Sequence, residues 1–470
     1  MSSTATTSAY PRVVLGSSRV DRGGRRRPPG PRALPLLGSG LAFSSDFLGS
    51  MVRYRERYGD VVYVSMPLAE LYLLNHPDDI QTVLVGEHAH VMKDELTRTL
   101  SLIVGQGLLT SEGELWRRQR KIAAPSFQPR HIERFGEAMV ERSRRGVEAL
   151  PARSRRDVHA DMMRITLEIV LDTMFGADTV RDIDGVGEIV DTLMEGYGRE
   201  FLTWRRLLPR RLRVAAFARI DDAVGRLDAI LYELIAARRG RAVAGDADLL
   251  DRLLAAQDDE GKGMSDRQLR DEVATVFLAG HETTALALSY ALYLLAHHPR
   301  VARALRAELD EVLGDRPATV DDLPRLRLCD AVLRESMRLY PPAYLVGREL
   351  LEDREIAGFP MPKGAQLLTG QWVVHRDPRW FPAPELFWPE RWLDGLAARL
   401  HRFAYFPFGG GPRICVGNHF AMLEGVLVLA TLVQRLEVSP YDSAPPLRLS
   451  TSVTLRPTQG VWLDVRRRDG

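Results

Sequence analysis

The sequence predicts a mainly α-helical fold with a minor β portion, in one large domain, and three observations carry that expectation. From about residue 112 to 340 apolar residues recur at helical spacing, in Arg-rich amphipathic stretches over 130–150, 159–176 and 215–240 and a long run over about 266–297. Strand-like alternation is confined to Val61–Ser65 and Leu71–Leu74, placed as a small hairpin, and to pieces near 447–466. No repeat and no long linker interrupts the chain after residue 30, so a single domain is expected over residues 28–470.

Each element has a local cause. Residues 1–27 are rich in Ser, Thr, Arg and Gly without periodicity and read as a loose, disordered tail. Pro28-Pro29-Gly30-Pro31 and Pro35 follow, a stiff extended entry that cannot be helix. The helical region ends where Pro, Gly and Trp break the pattern between Pro341 and Pro412, and a last helix is expected over about 417–436.

Composition narrows the function classes. Hydrophobic residues make up 45% of the 470 and charged residues 27%, an ordinary globular balance. The net charge is only +2, with +6 in the first 32 residues and therefore −4 in the rest, so no global field draws the chain to nucleic acid or an anionic membrane. Of 64 basic residues only four are lysine, an Arg skew that matches a GC-rich genome better than any chemical demand. Two cysteines, Cys329 and Cys415, exclude a disulfide scaffold, a four-cysteine zinc site and an iron–sulfur cluster, and fit a reducing, cytoplasmic setting. The most apolar long window, Ala274 to Ala296, holds His281 and Glu282 near its middle, where a bilayer penalises a carboxylate by about 2.5 kcal/mol or more. Neither a membrane span nor a signal peptide is expected.

The chemistry concentrates in Phe408-Gly409-Gly410-Gly411-Pro412-Arg413-Ile414-Cys415-Val416-Gly417. Its glycines permit positive φ and close backbone approach, and the stretch runs into a helical pattern near Asn418. A cysteine ahead of a helix N-terminus has its thiolate favoured by free N–H groups and the helix dipole. Such a sulfur, flanked by Gly and covered by Phe408, suits an axial ligand to haem iron, with Arg413 in reach of a propionate. Buried apolar filler is the ordinary use of a lone cysteine and is the reading given to Cys329. A phosphate loop is excluded because no Lys-Ser/Thr follows the glycines.

A second segment, Ala279-Gly280-His281-Glu282-Thr283-Thr284, sits inside the long helical run. Gly in a helix interior costs about 1 kcal/mol relative to Ala, and paired threonines weaken it further, so helix stability does not explain the choice. A local widening there leaves room for a small ligand, with Glu282 gathering water and Thr283 donating a hydrogen bond in a proton relay to dioxygen. A zinc-protease motif is excluded, because position 285 is Ala rather than His. His88, His90, His297 and His298 lack a third ligand at metal spacing.

The cysteine stretch resembles the haem-binding signature of the cytochrome P-450 superfamily, Phe-Gly-x-Gly-x-Arg-x-Cys-x-Gly, at every specified position. Three further segments match in the family's order, so the resemblance runs from about residue 28 to the end. It implies haem b held by Cys415, with Phe408 and Gly417 beside it and Trp116, Arg120, Arg348 and Arg413 on the propionates. It gives Thr283 the oxygen-activating role and Glu282 that of its acidic partner. It implies a structural clamp of Glu335 and Arg338 with Arg391, from Pro389-Glu390-Arg391-Trp392. Substrate contacts would come from about Leu96–Leu109, from about Leu193–Leu202 with Tyr197 and Phe201, from Ala279, from Tyr344, Leu345 and Val346, and from Val453. These residues are mostly apolar, which points to a lipophilic substrate such as a terpenoid, polyketide, steroid or fatty acyl compound.

The activity so implied is a monooxygenase of secondary metabolism, inserting one atom of dioxygen by hydroxylation or epoxidation. The chain ends about 55 residues after Cys415. Electrons are therefore expected from NAD(P)H through a separate ferredoxin or flavodoxin with its reductase, docked on the basic patch of Arg117, Arg118 and Lys121. Two alternatives stand beside it. One is a peroxide-driven haem hydroxylase, and the intact Gly-x-Glu-Thr segment argues against it. The other is a non-catalytic thiolate-haem sensor, which needs neither a proton relay nor a large pocket.

Overall fold

The computed structural model describes residues 11–20, 24–32, 39, 43, 46–66, 69–176, 183–201, 213–239, 248–256, 261 and 263–468. Helix accounts for 56% and strand for 14%, the mainly α fold with a minor β portion that the sequence predicts. The chain divides into two compact units. One comprises residues 1–98, 338–386 and 395–415, the other 99–337, 387–394 and 416–470.

The first unit is built on a sheet. Strands β1 (Arg19–Val20) and β2 (Arg26–Arg27) pair with each other, and helix α1 (Phe47–Tyr58) starts at Asp46, whose carboxylate accepts the Gly49 N–H. β3 (Val61–Ser65) and β4 (Glu70–Leu74) form the expected antiparallel hairpin. β4 then pairs in parallel with β10 (Gln366–Thr369), which pairs antiparallel with β7 (Val346–Leu350), and β7 with β5 (Val91–Lys93). The five-stranded order is β3-β4-β10-β7-β5, and β8 (Arg354–Ile356) pairs antiparallel with β9 (Phe359–Met361) beside it in sequence. Met51 of α1 packs with Val62, Val64, Leu73 and Leu368 of the strands and with Val373 of the helical turn that follows β10.

The described part of the expected loose tail is tied into this unit. The Leu15 N–H donates to the Tyr58 carbonyl at 2.9 Å and the Asp60 N–H to the Val13 carbonyl at 2.6 Å. Arg12 pairs with buried Asp79, and Arg27 with Glu70. Composition reads such a segment as solvated because the carboxylates that recruit its arginines, buried Asp79 and half-buried Glu70, lie far along the chain. Residues 1–10, 21–23 and Pro35 of that stretch lie outside the described residues.

The second unit is helical. Its principal helices are α2 (Gly113–Ala123), α3 (Gly136–Glu148), α4 (Val158–Phe175), α5 (Ile183–Phe201), α6 (Val214–Arg238), α7 (Leu249–Ala255), α8 (Asp266–His297), α9 (Pro299–Leu313), α10 (Arg327–Leu339, its last two residues in the first unit) and α11 (Asn418–Arg435). Two small sheets complete it, β6 (Arg153–Asp157) with β14 (Trp462–Arg467) and β11 (Leu436–Pro440), and β12 (Leu449–Thr451) with β13 (Leu455–Pro457). α8 begins at Ser265, whose hydroxyl accepts the Gln268 N–H, and runs against α4.

The sequence predicts a widening of α8 at Gly280, and the helix instead continues unbroken from Asp266 to His297. Gly280 has a packing reason. A Cβ there would lie 3.3 Å from Val170 of α4, and the Thr166 hydroxyl of α4 donates to the His281 carbonyl at 3.0 Å. The glycine lets two helices approach closely. Among the described residues no helix is long and apolar enough to cross a membrane.

Candidate active site

The two cysteines are sorted by environment. Cys329 is fully buried on α10, its thiol directed at the Val426 carbonyl at 3.6 Å, and burial pushes its pKa well up. That is the environment of an inert apolar side chain. Cys415 is exposed and outside any disulfide. Its N–H donates to the Phe408 carbonyl at 3.0 Å, closing the loop 408–415 on itself.

The loop is shaped by its glycines, two of them in the left-handed region and two with no room for a side chain. Gly409 and Gly411 have φ of 71° and 68°, in the left-handed region. A Cβ on Gly411 would lie 1.9 Å from the Leu84 carbonyl oxygen, which belongs to a π-helical turn over Thr82–Gly86, and a Cβ on Gly410 would lie 2.2 Å from the Phe403 ring. Close backbone packing beneath the loop fixes where the exposed thiol stands. Phe408 and Arg413 are half-buried within it. Cys415 lies two residues ahead of Gly417, the N-cap of α11.

Arg348 of β7 is only 6% exposed, so it is no surface arginine, and its guanidinium donates to the Gly347 carbonyl at 2.7 Å. Tyr344 is buried beside it in sequence, with Leu345 and Val346 half-buried. Trp116 and Arg120 lie half-buried on α2, one turn apart, with Gln119 fully buried between them in sequence.

In the second unit α8 exposes a single stripe. Between Leu269 and Leu292 every residue is buried except Val276, Ala279, Gly280 and Thr283. Their i, i+3, i+4, i+7 spacing puts all four on one face, and all are apolar or small apart from one hydroxyl. The Thr283 hydroxyl donates to the Ala279 carbonyl at 2.8 Å. Val276 escaped the sequence reading, although its spacing from Ala279 and Thr283 places it on that face.

Glu282 has a different setting from the open, water-gathering acid expected. Its side chain is 3% exposed, accepts from the Thr454 hydroxyl, and pairs with Arg456 at 2.8 Å. Arg456 reaches on to Asp191 of α5 at 2.9 Å, and the Asp191 side chain is 59% exposed. The His281 ring is fully buried and bonds the Phe277 carbonyl through Nδ1, with its pKa lowered by burial. Val453, next to Thr454, is half-buried. Thr454 and Arg456 were missed because a β13 arginine gives no sequence sign of which carboxylate it faces. Buried Tyr197 lies on α5, while Leu202 and the side chain of Phe201 lie outside the described residues.

The clamp residues are buried and heavily bonded. Glu335 accepts the Trp388 N–H at 3.0 Å, Arg391 Nε at 3.1 Å and the Trp392 indole N–H at 2.8 Å. Arg338 belongs to the first unit, where it donates to the carbonyls of His375, Pro384 and Leu386. Trp392 is a partner the motif alone does not announce. The histidines set aside as metal ligands have other partners. Nδ1 of His88, His297 and His298 meets the carbonyls of Val85, Tyr293 and Leu294, and His90 pairs with Glu352.

The donor set fits haem. A single exposed thiol on a glycine loop that leaves no room for a Cβ is suited to iron, and the buried Arg348 supplies positive charge of the kind a propionate needs. Comparison with known proteins agrees. The family profile for cytochrome P450 matches residues 28–463. The chain is 36% identical over 415 residues to cyclooctatin synthase of Streptomyces melanosporofaciens, covering 87% of this chain and 89% of that protein. It is 32% identical over 416 residues to cyclooctat-9-en-7-ol 5-monooxygenase of the same organism, with the same coverage. With human cytochrome P450 4V2 it shares 31% identity over 476 residues, 93% of this chain and 89% of the relative. The chain belongs to the cytochrome P450 family and is an oxidoreductase of its monooxygenase kind.

Proposed function

We propose that this monooxygenase oxygenates a lipophilic, largely hydrocarbon substrate carrying few polar groups, with electrons delivered from NAD(P)H by a separate ferredoxin or flavodoxin and its reductase. The observation that carries the reading is the division of labour between the two cysteines, one sealed in a helix and one exposed on a glycine loop. Haem ligated by the Cys415 thiolate supplies activation of dioxygen. Cys415 would hold the iron, Trp116, Arg120, Arg348 and Arg413 the propionates, and Phe408 and Gly417 would flank the ring.

The chain's own contribution is positioning and proton control. Thr283 keeps its hydroxyl proton on the Ala279 carbonyl and retains lone pairs that accept from a water. Glu282 is the acid of the pair, and its ion pair with Arg456 withholds the carboxylate until that contact loosens. On α8 the exposed face of Val276, Ala279 and Thr283 offers a substrate apolar contact and no fixed charge. The relative's name, an -en-7-ol 5-monooxygenase, denotes an unsaturated skeleton with one hydroxyl, which that surface suits. Exposed Arg117 and Lys121 on α2 give an acidic redox partner a docking charge.

The test is spectroscopic. The reduced, carbon monoxide-bound protein should show the thiolate-haem Soret band, retained in Cys329→Ser and lost in Cys415→Ala. Neutral unsaturated alcohols should shift the spin state of the ferric protein where fatty acids of equal size do not. An unmoved Soret band in Cys415→Ala, or preference for the charged ligands, defeats the reading.

A further inference from the structure

The face of α8 that carries the exposed stripe extends one turn further toward the helix N-terminus. Glu272 lies one turn before Val276 and two before Ala279, so the face that carries Val276, Ala279 and Thr283 continues to a carboxylate. Glu272 is 2% exposed because a loop covers it. The Leu108 N–H donates to its Oε2 at 3.1 Å, and among the described residues its Oε1 has no hydrogen-bond partner.

That loop, Ile103 to Ser111, is pinned to α8 along its length. The Gln106 N–H donates to Asp271 at 2.8 Å, and Arg270 donates to the Ile103 carbonyl at 2.9 Å. Gly105, with φ of 68°, and Gly107 sit so close that a Cβ would lie 2.0 Å from the Asp271 carboxylate and 2.1 Å from the Thr275 hydroxyl. On the other side Gln119 of α2 donates to the Gln106 carbonyl at 2.6 Å. Just before the first pin Leu102 is 57% exposed, and between the pins the loop presents half-buried Leu108 and Leu109.

We propose that Glu272 is a positioning residue, seating the Ile103–Ser111 loop at the N-terminal end of the exposed α8 stripe and thereby controlling how readily a lipophilic ligand reaches that stripe. The proposal rests on the reading of the stripe as substrate-facing. Among the pins Glu272 is the adjustable one. Asp271 is neutralised by Arg270, itself paired with Asp228 of α6, whereas among the described residues the charge acting on Glu272 is the like charge of Asp271. Residues 101–111 carry no titratable side chain, and α2 turns the uncharged Gln119 toward the loop.

Burial, aided by Asp271, raises the Glu272 pKa from 4.5 to about 7. Seated, the group therefore prefers its proton, and released into water it loses it. The seated state is fully favoured below pH 4.5 and loses that advantage as pH rises to about 7, above which no further change follows. Opening becomes easier with rising pH, and Glu272→Gln, neutral at every pH, stays seated.

The experiment is hydrogen exchange of the haem-loaded, full-length protein, following peptides that span residues 103–111 and correcting for the intrinsic pH dependence of exchange. In the native protein the opening of this segment should increase about tenfold or more between pH 5.5 and 7.5. Glu272→Gln should be protected and flat across that range, and Glu272→Ala unprotected at both ends, with α8 peptides beyond Thr283 unaltered. Stopped-flow spin-shift rates for a neutral unsaturated alcohol should follow the same order, fastest in Glu272→Ala. Native-like, pH-dependent exchange in Glu272→Gln, or identical ligand on-rates in all three proteins, would overturn the proposal. A native protein that no lipophilic ligand shifts would defeat the substrate reading, while the exchange data still decide the role of Glu272.

Discussion

At the scale of single residues, the structure turns on buried charge that is paired or not at all tolerated. Glu282 and Arg456 are both nearly sealed from water, at 3% and 11% side-chain exposure, so neither can lose the other cheaply. Breaking such a pair strands a charge, and Arg456→Met should destabilise the fold by about 3–5 kcal/mol in denaturant unfolding. Glu282→Gln added to Arg456→Met should recover most of that loss, because the double variant has no stranded charge. If the single and double variants unfold alike, the pair is not coupled as its geometry indicates. Glu335 obeys the same logic, with Arg391, Trp392 and the Trp388 amide converging on one carboxylate.

Among elements, the cysteine loop shows backbone geometry selecting residues. Gly409 and Gly411 share a positive φ, yet their surroundings differ. Nothing closer than Val346 at 4.0 Å meets a Cβ on Gly409, so Gly409→Ala should cost only the conformational penalty of roughly 1–2 kcal/mol. A Cβ on Gly411 meets the Leu84 carbonyl at 1.9 Å, which is backbone and cannot turn aside. Gly411→Ala should therefore cost distinctly more than Gly409→Ala and weaken haem retention, read from unfolding midpoints and from the haem-to-protein absorbance ratio. Equal effects would mean that the Thr82–Gly86 turn is not the support inferred.

For the whole molecule, buried titratable groups set the acid limb of stability. Burial, with Arg456 adding repulsion, lowers the His159 pKa from 6.5 to about 3. The unfolded chain then binds a proton that the folded chain refuses, so stability falls as pH drops from 6.5 toward 3, by up to about 1.4 kcal/mol per pH unit. Glu272 acts oppositely between 4.5 and about 7, because its folded form holds the proton more tightly. His159→Gln should flatten the native decline below pH 6.5, seen in urea midpoints at pH 7, 6 and 5. A variant with an unaltered slope would show that His159 is not the group refusing protons.

Patterns that are local in the chain were legible in the sequence. Helical periodicity announced α4, α6, α8 and α11 close to their observed bounds, alternation announced the β3–β4 hairpin, and the glycine spacing around Cys415 marked the loop. These depend on neighbours a few residues apart, where spacing alone fixes which side chains share a face. Tertiary structure alone decided who answers whom across long separations. Only the fold sends Arg456 to Glu282, Trp392 to Glu335, Arg12 to Asp79 and the Leu108 amide to Glu272, and only it shows that Gly280 serves a helix crossing rather than a break. A charge or a glycine declares what it is able to do, but its partner is chosen by packing, and packing is settled when the whole core forms at once.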